Sequence, residues 1–256
     1  MIKFKHIAVA AGAAIMSALG AQQANAAPVA VDLELQLLVD VSNSISTGEF
    51  NLQRTGYSNA FRNATIQNQI LNGVIGKIAV ELIYWSSSNQ QNVATGWALI
   101  DSVASANAFA DAIDATTRPY NGNTGVGEAL AFGAPRFDTN DFDGTRQVID
   151  LSGDGQDNSG NVAPATARDA ALAAGVDAIN ALAIGSMSLV DYFNANVIGG
   201  TGAFTVFAAD FDAFGAAIIE KLGREITPEI PLPGALPLML TGMALFGWTR
   251  RRKSEI

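Results

Sequence analysis

Between Ala27 and Ile226 the apolar residues recur at two periods, and the switches from one to the other divide the chain into strands and helices. Leu35 to Val39 is an apolar run that stops on Asp40. Val41-Ser42-Asn43-Ser44-Ile45 then places hydroxyls at alternate positions, and Ser46, Thr47, Gly48 and Glu49 form the S-x-x-E pattern of a helix capping box. In the helix that follows, Phe50, Tyr57 and Phe61 recur at helical spacing and read as core aromatics. Ile75 to Trp85 is a second strand, apolar on both faces, and Gly96 to Ile100 a short third, followed by an Ala-rich helix from Ala104 to Ile113. Arg146 to Ser152 is a fourth strand, Pro164 opens a helix over Ala165 to Ala174 that closes on Gly175, and Val176 to Ile184 is a fifth strand. Leu189 to Asn194 makes a helical turn and Ala203 to Phe207 a sixth strand. A last amphipathic helix shows Phe211, Phe214, Ile218 and Leu222 on one face, with Lys221 and Arg224 placed to complement its negative pole.

Strands alternating with helices predict an α/β fold: a doubly wound, mostly parallel sheet with helices on both faces. Ligands bind such sheets at the carboxyl ends of the strands. Residues 27–226 contain no repeat or composition break, so they read as one domain. The two ends read differently. Residues 1–26 carry Lys3 and Lys5, an apolar run from Ile7 to Leu19 and then Ala24-Asn25-Ala26, the form of a cleaved export signal. Residues 227–256 contain Ile230-Pro231-Leu232-Pro233-Gly234, an apolar run to Trp248 and the basic cluster Arg250-Arg251-Arg252-Lys253. Counted from Leu232 the run is 17 residues, the lower limit for a transmembrane helix. The basic cluster would keep the tail cytoplasmic and the domain outside the membrane.

The whole chain carries 15 Lys and Arg against 24 Asp and Glu, but six of the cations lie in the two ends. Nine cations and 22 carboxylates remain in residues 27–226, a net charge of −13. A body this acidic argues against nucleic acid as a partner and offers carboxylates to cations. Cysteine is absent and the single histidine, His6, lies in the leader. The body therefore has no thiol or imidazole, which excludes Ser-His-Asp and Cys-His catalysis and the common zinc ligand sets. Chemistry must come from oxygen ligands, Lys or Arg.

Three segments offer such ligands. Asp40, Ser42 and Ser44 stand where the first strand ends. Asn121-Gly122-Asn123-Thr124-Gly125-Val126-Gly127 is a Gly-rich loop opening a helix near Gly127, and it lacks the Gly-Lys-Ser/Thr ending of a phosphate-binding loop. The fourth strand runs into Gly153-Asp154-Gly155, again a carboxylate at a strand end. Hard oxygen ligands in this setting suit a small divalent cation. Asp138 to Gly144 looks like a calcium loop but fails its pattern at Phe142 and Ile149, and reads as a solvated acidic turn.

The pattern D-x-S-x-S at Asp40, Ser42 and Ser44, then Thr124, then Asp154, resembles the metal-ion-dependent adhesion site (MIDAS) of von Willebrand factor A domains. Gln53 to Tyr57, Val148 to Gly155, Ala167 to Ala171, Val197 to Phe204 and Lys221 to Ile226 are similar to signatures of an exported bacterial A-domain-like family of unknown function. The resemblance implies a site for Mg²⁺, with Mn²⁺ or Ca²⁺ as alternatives. Ser42, Ser44 and Thr124 would contact the ion directly, and Asp40 and Asp154 directly or through water. It further implies a non-enzymatic binding or adhesion module, exported to the cell envelope, that engages a protein or extracellular matrix ligand through an acidic residue. A metal-assisted hydrolase using Asp150 or Asp157 as base, and a structural matrix protein, are the alternatives. The C-terminal segment resembles a PEP-CTERM sorting signal of the V-P-L-P-A type, here I-P-L-P-G, which implies an exosortase-type processing enzyme; a permanent anchor is the other reading of the same residues.

Overall fold

A computed structural model describes residues 27–227. The leader expected at residues 1–26 and the helix and basic tail expected after Thr227 lie outside the described residues. Among the described residues no helix is long and apolar enough to cross a membrane.

The elements in chain order are β1 (Val29–Val31), β2 (Leu33–Asp40), α1 (Thr47–Arg62), α2 (Ala64–Leu71), β3 (Ile78–Trp85), β4 (Gln91–Ile100), α3 (Val103–Asp114) and α4 (Val126–Gly133). A 3₁₀ turn (Ala134–Thr139) leads to β5 (Phe142–Gly144) and β6 (Gln147–Gly153). Then come α5 (Pro164–Ala173), β7 (Ala178–Ile184), α6 (Met187–Asn196), β8 (Gly199–Gly200), β9 (Thr205–Ala208) and α7 (Phe214–Ile226). The main sheet runs β4-β3-β2-β6-β7, with β8 and β9 both paired to β7. Pairings among β3, β2, β6, β7 and β9 are parallel, while β4 and β8 add antiparallel. The doubly wound α/β expectation is thus met, with antiparallel strands at its margins.

Strand alternation sorts β2 between two cores. Leu33, Leu35, Leu37 and Val39 face a layer of α1, α2, α3 and α7, where Phe50, Tyr57, Phe61, Ile66, Phe109, Phe214, Ile218 and Leu222 are buried. Leu38 faces α4, α5 and α6, with Ile83, Trp85, Leu130, Ile149, Leu151, Leu189 and Phe193. The capping box forms as expected: Ser46 Oγ accepts from Glu49 N (3.2 Å) and Glu49 Oε2 accepts from Ser46 N (2.7 Å). A cap of this kind stabilises a helix start by about 1 kcal/mol. Gly56, in mid-helix, admits Phe214 of α7, whose ring would lie 2.7 Å from any Cβ placed there.

Several features depart from the sequence expectation. α2 is a further helix that hydrophobic periodicity does not mark, although Asn63 caps it by accepting from Thr65 N (2.8 Å), a signal that Asn63-Ala64-Thr65 does carry. The third strand is ten residues long and starts at Gln91, because its polar first half pairs with the end of β3 instead of forming a loop. The second strand starts at Ile78, the fifth at Ala178 and the sixth at Thr205. In the acidic turn, Asp138, Asp141 and Asp143 are exposed as expected, but Phe142 to Gly144 also pairs with β1 as a small parallel sheet. Phe211 precedes α7, which begins at Phe214.

Lys221 is the largest correction. It is fully buried on the inner face of α7, paired with Asp150 (2.8 Å) and Glu225 (2.6 Å), and does not sit at the helix terminus as a solvated cation. Arg224 does point outward, with its guanidinium 3.6 Å from the Phe204 ring centroid. The even positions at the amino end of β2 are also polar and buried: Glu34, Gln36 and, opposite Gln36 on β3, Glu81. Arg136 from the 3₁₀ turn forms a two-pronged pair with Glu81, and Gln36 Nε2 donates to the same carboxylate (3.1 Å). Asn140 and Gly144 N satisfy Glu34.

Candidate functional site

The three expected segments converge at the carboxyl ends of β2 and β6. β2 delivers Asp40 fully buried, with Gln53 of α1 donating to its carbonyl (3.2 Å). The chain then turns: Ser42 N donates to Asp40 Oδ1 (2.7 Å), and Ile45 N closes on Ser42 O (3.1 Å). Ser44 Oγ donates to Asp154 Oδ1 (2.8 Å) and lies 3.1 Å from Ser42 Oγ. A hydroxyl has one hydrogen, so Ser44, spending its own on Asp154, accepts from Ser42. Asp40, Ser42, Ser44 and Asp154 thereby form a continuous polar chain between strands 110 residues apart in sequence.

Thr124 joins by proximity. Its Oγ1 would lie 3.5 Å from a Cβ on Gly155, next to Asp154, and its side chain is buried. The loop that carries it is built from three sides. Asn43 N donates to Gly122 O (2.8 Å), Ser86 Oγ accepts from Gly122 N (2.9 Å), and Asn158 Oδ1 accepts from Thr124 N (2.8 Å). Glu128 on α4 accepts from Asn161 N and Val162 N, holding the segment after Asp154 against α4.

Electrostatically the site is strained toward binding a cation. Burial raises the Asp40 carboxyl from 3.8 to about 7, with the Asp154 charge adding to the rise and the Ser42 N–H opposing it. Asp154, half-buried, is also raised, by burial and by the nearby Glu49 charge, against the Ser44 hydroxyl and Arg118. Asp40 Oδ2 is buried and has no hydrogen-bond partner. Gly153 leaves open the space above it: a Cβ there would lie 3.1 Å from that oxygen. A buried carboxylate oxygen with no donor costs free energy, and a bound cation removes that cost. The donors present are two carboxylates and three hydroxyls, a hard-oxygen set that suits Mg²⁺, Mn²⁺ or Ca²⁺. Among the described residues no three Asp, Glu, His or Cys converge elsewhere or here, so hydroxyls must complete any such coordination.

Sequence reading missed the residue that braces this loop. Arg118 donates to Val41 O (2.9 Å), Ser42 O (2.6 Å) and Tyr120 O (2.9 Å), clamping the Asp40-to-Ser44 turn to the segment before Thr124. A lone Arg shortly before the Gly-rich loop, in so acidic a chain, was its only signal. Ser86 and Gln53 were missed likewise; Ser86 lies at a strand's carboxyl end, as Ser42 does.

Residues 30–230 match the family described as protein of unknown function, DUF1194. The chain belongs to the DUF1194 family. No curated protein matches. Solved structures extend the likeness of this DUF1194 domain to von Willebrand factor A folds. Proximal thread matrix protein 1 from the mussel byssus, in a crystal with a zinc-occupied MIDAS motif, shares 19% identity at a TM-score of 0.55 over 78% of this chain and 46% of its own. The pilus adhesin SpaC of Lactobacillus rhamnosus GG shares 17% at 0.53, over 79% of this chain and 31% of its own. The SpRpn10 VWA domain shares 16% at 0.52, over 73% of this chain and 94% of its own. The DUF1194 chain thus spans less than half the length of the byssus protein and about a third of SpaC. The likeness establishes a von Willebrand factor A-like fold.

Proposed function

We propose that this protein is a divalent-cation-dependent binding module of the MIDAS type, exported to the cell envelope, which engages a protein or matrix ligand. The carrying observation is the Asp40-Ser42-Ser44-Asp154 chain with the unpartnered Asp40 Oδ2 at its buried end. Ser42, Ser44 and Thr124 would hold the cation with Asp40 and Asp154, Mg²⁺ being the preferred ion and Mn²⁺ or Ca²⁺ alternatives. The ion would supply an open coordination position for an acidic side chain of the ligand. The protein's part is to hold the two carboxylates and the hydroxyls together on braced loops. Ser44 is exposed and Asp154 half-buried, so the site opens on their side. The byssus protein, with its zinc-occupied motif, and the SpaC adhesin support this reading by analogy of fold. Export to the envelope and exosortase-type processing rest on the two chain ends.

The hydrolase alternative finds less support. Asp150 is paired with buried Lys221, and both oxygens of Asp157 accept backbone N–H groups, from Gly127 (3.2 Å) and Gly160 (3.2 Å). Neither is placed as a free base.

Mg²⁺ or Mn²⁺ at a hundredfold excess over its dissociation constant should stabilise the protein by about 2.7 kcal/mol relative to EDTA. Thermal unfolding of wild type, Asp40→Ala and Asp154→Ala checks this: the gain should vanish in both variants, and equal melting with metal and with EDTA in wild type would sink the proposal. Pull-down from envelope and matrix material, with Mg²⁺ against EDTA, separates binding from a bracing role, in which metal binds and no partner is retained. Arg118→Met should weaken the cation by about 10-fold or more through loosening of the turn, as removal of supporting contacts does at other metal sites. Titration calorimetry measures it.

A further inference from the structure

In the core between α7 and β6, the amine of Lys221 meets the carboxyls of Asp150 on β6 and Glu225 on α7. Lys221 Nζ lies 2.8 Å from Asp150 Oδ1 and 2.6 Å from Glu225 Oε1, and all three side chains are fully buried or within 1% of it. Asn180 of β7 donates to Glu225 Oε1 (2.9 Å), and Tyr57 of α1 reaches Asp150 Oδ1 (3.4 Å) and Ser152 Oγ (3.3 Å). Arg146 touches only the Glu225 carbonyl (2.5 Å). Asp150 Oδ2 and Glu225 Oε2 are buried without hydrogen-bond partners. Two carboxyls face one amine, and the Arg146 guanidinium, just before β6, is close enough to sense the Glu225 charge.

We propose that Lys221 and Asp150 condense to an intramolecular amide that cross-links α7 to β6, with Glu225 relaying the proton. The Nζ lone pair attacks Cγ of the Asp150 carboxyl, an N–C bond forms, one C–O bond breaks and that oxygen leaves as water. Starting from the ammonium–carboxylate pair, both hydrogens of the water come from Nζ, passed on by Glu225, which ends as it began. No oxidant or further reactant is needed.

Three observations carry this. The nucleophile and the carboxyl are held at contact distance by a helix and a strand, which removes the entropic cost of bringing them together. The reacting groups are fully buried, which keeps bulk water away from them. Glu225 is placed to take up a proton from the amine: Oε1 accepts from Nζ (2.6 Å) and from Asn180 (2.9 Å), and burial with the Asp150 charge raises that carboxyl to about 8. Cysteine is absent, so an amide is the covalent brace open to this domain.

Mass spectrometry of the full-length protein, shown to be folded by circular dichroism, tests the proposal. The expected result is a mass lower by one water and a tryptic peptide in which Gln147–Arg168 is joined to Asp169–Arg224, trypsin failing to cut after Lys221. Asp150→Ala and Lys221→Met should release the two peptides, and Glu225→Gln should slow their joining after refolding by about a hundredfold. Separate peptides with normal cutting after Lys221 in the folded wild type would overturn the cross-link. Joining at the wild-type rate in Glu225→Gln would overturn the relay.

Discussion

With EDTA present, stability is expected to fall by on the order of 4 kcal/mol as pH rises from about 4 to about 7, through Asp40 alone. Its folded value of about 7 exceeds the ordinary 3.8. Between those values the folded protein retains a proton that the unfolded chain has released. Stability therefore decreases with rising pH across this window and levels off above it. Glu225, also raised, adds a slope of the same sign that extends to about 8. Asp40→Asn removes the first contribution and Glu225→Gln the second. Saturating Mg²⁺ should flatten the Asp40 part of the slope in wild type, because a bound cation stabilises the ionised carboxylate. Urea unfolding at a series of pH values, with and without the ion, reads all of this. Identical pH slopes for wild type and Asp40→Asn in EDTA would show that Asp40 is not held protonated. A stability cost of this size at the mouth of a sheet is typical of a site kept for binding.

Arg136→Ala is expected to destabilise the protein by about 3 kcal/mol, near the low end for breaking a buried ion pair because the guanidinium is partly exposed. Glu81 is fully buried, and after the substitution its carboxylate retains only the Gln36 amide as a side-chain donor. The penalty comes from the charge left behind, so Glu81→Gln in the same chain should recover most of it. Chemical denaturation of the two single variants and the double variant measures the coupling. Additive losses would show that the pair is not the source.

The fold was readable because burial writes itself into periodicity. β2 and β6 are buried along nearly their whole length and each has one mainly apolar face, as strands covered by helices do, and the capping box at Ser46 and Glu49 follows from local hydrogen bonding alone. The D-x-S-x-S turn is equally local, since Ser42 N closes on Asp40 Oδ1 two residues away. Antiparallel β4 was half hidden because its first residues, Gln91 and Asn92, are polar, and pairing with β3 depends on a partner that periodicity does not name.

The charged residues divide in the same way. Lys221 near a helix terminus and Glu81 in a strand carry no mark of burial in sequence, since the same letters serve a solvated face. Only the approach of β6 to α7 makes Lys221 a buried amine, and only the 3₁₀ turn brings Arg136 to Glu81. Arg118 is a brace for the same reason: its three acceptors are backbone carbonyls, which every residue has.

By itself the sequence determined the α/β class, the order of most elements, the acidic and cysteine-free character, and five oxygen-bearing candidate residues, four just at or after strand ends and Thr124 in the loop before α4. The tertiary structure decided that Ser44 meets Asp154 across 110 residues, that Asp40 lies buried with an unpartnered oxygen, and that Lys221, Asp150 and Glu225 share one dry pocket. Periodicity and capping are properties of neighbours in the chain. Desolvation and the pairing of charges depend on which distant segments pack together.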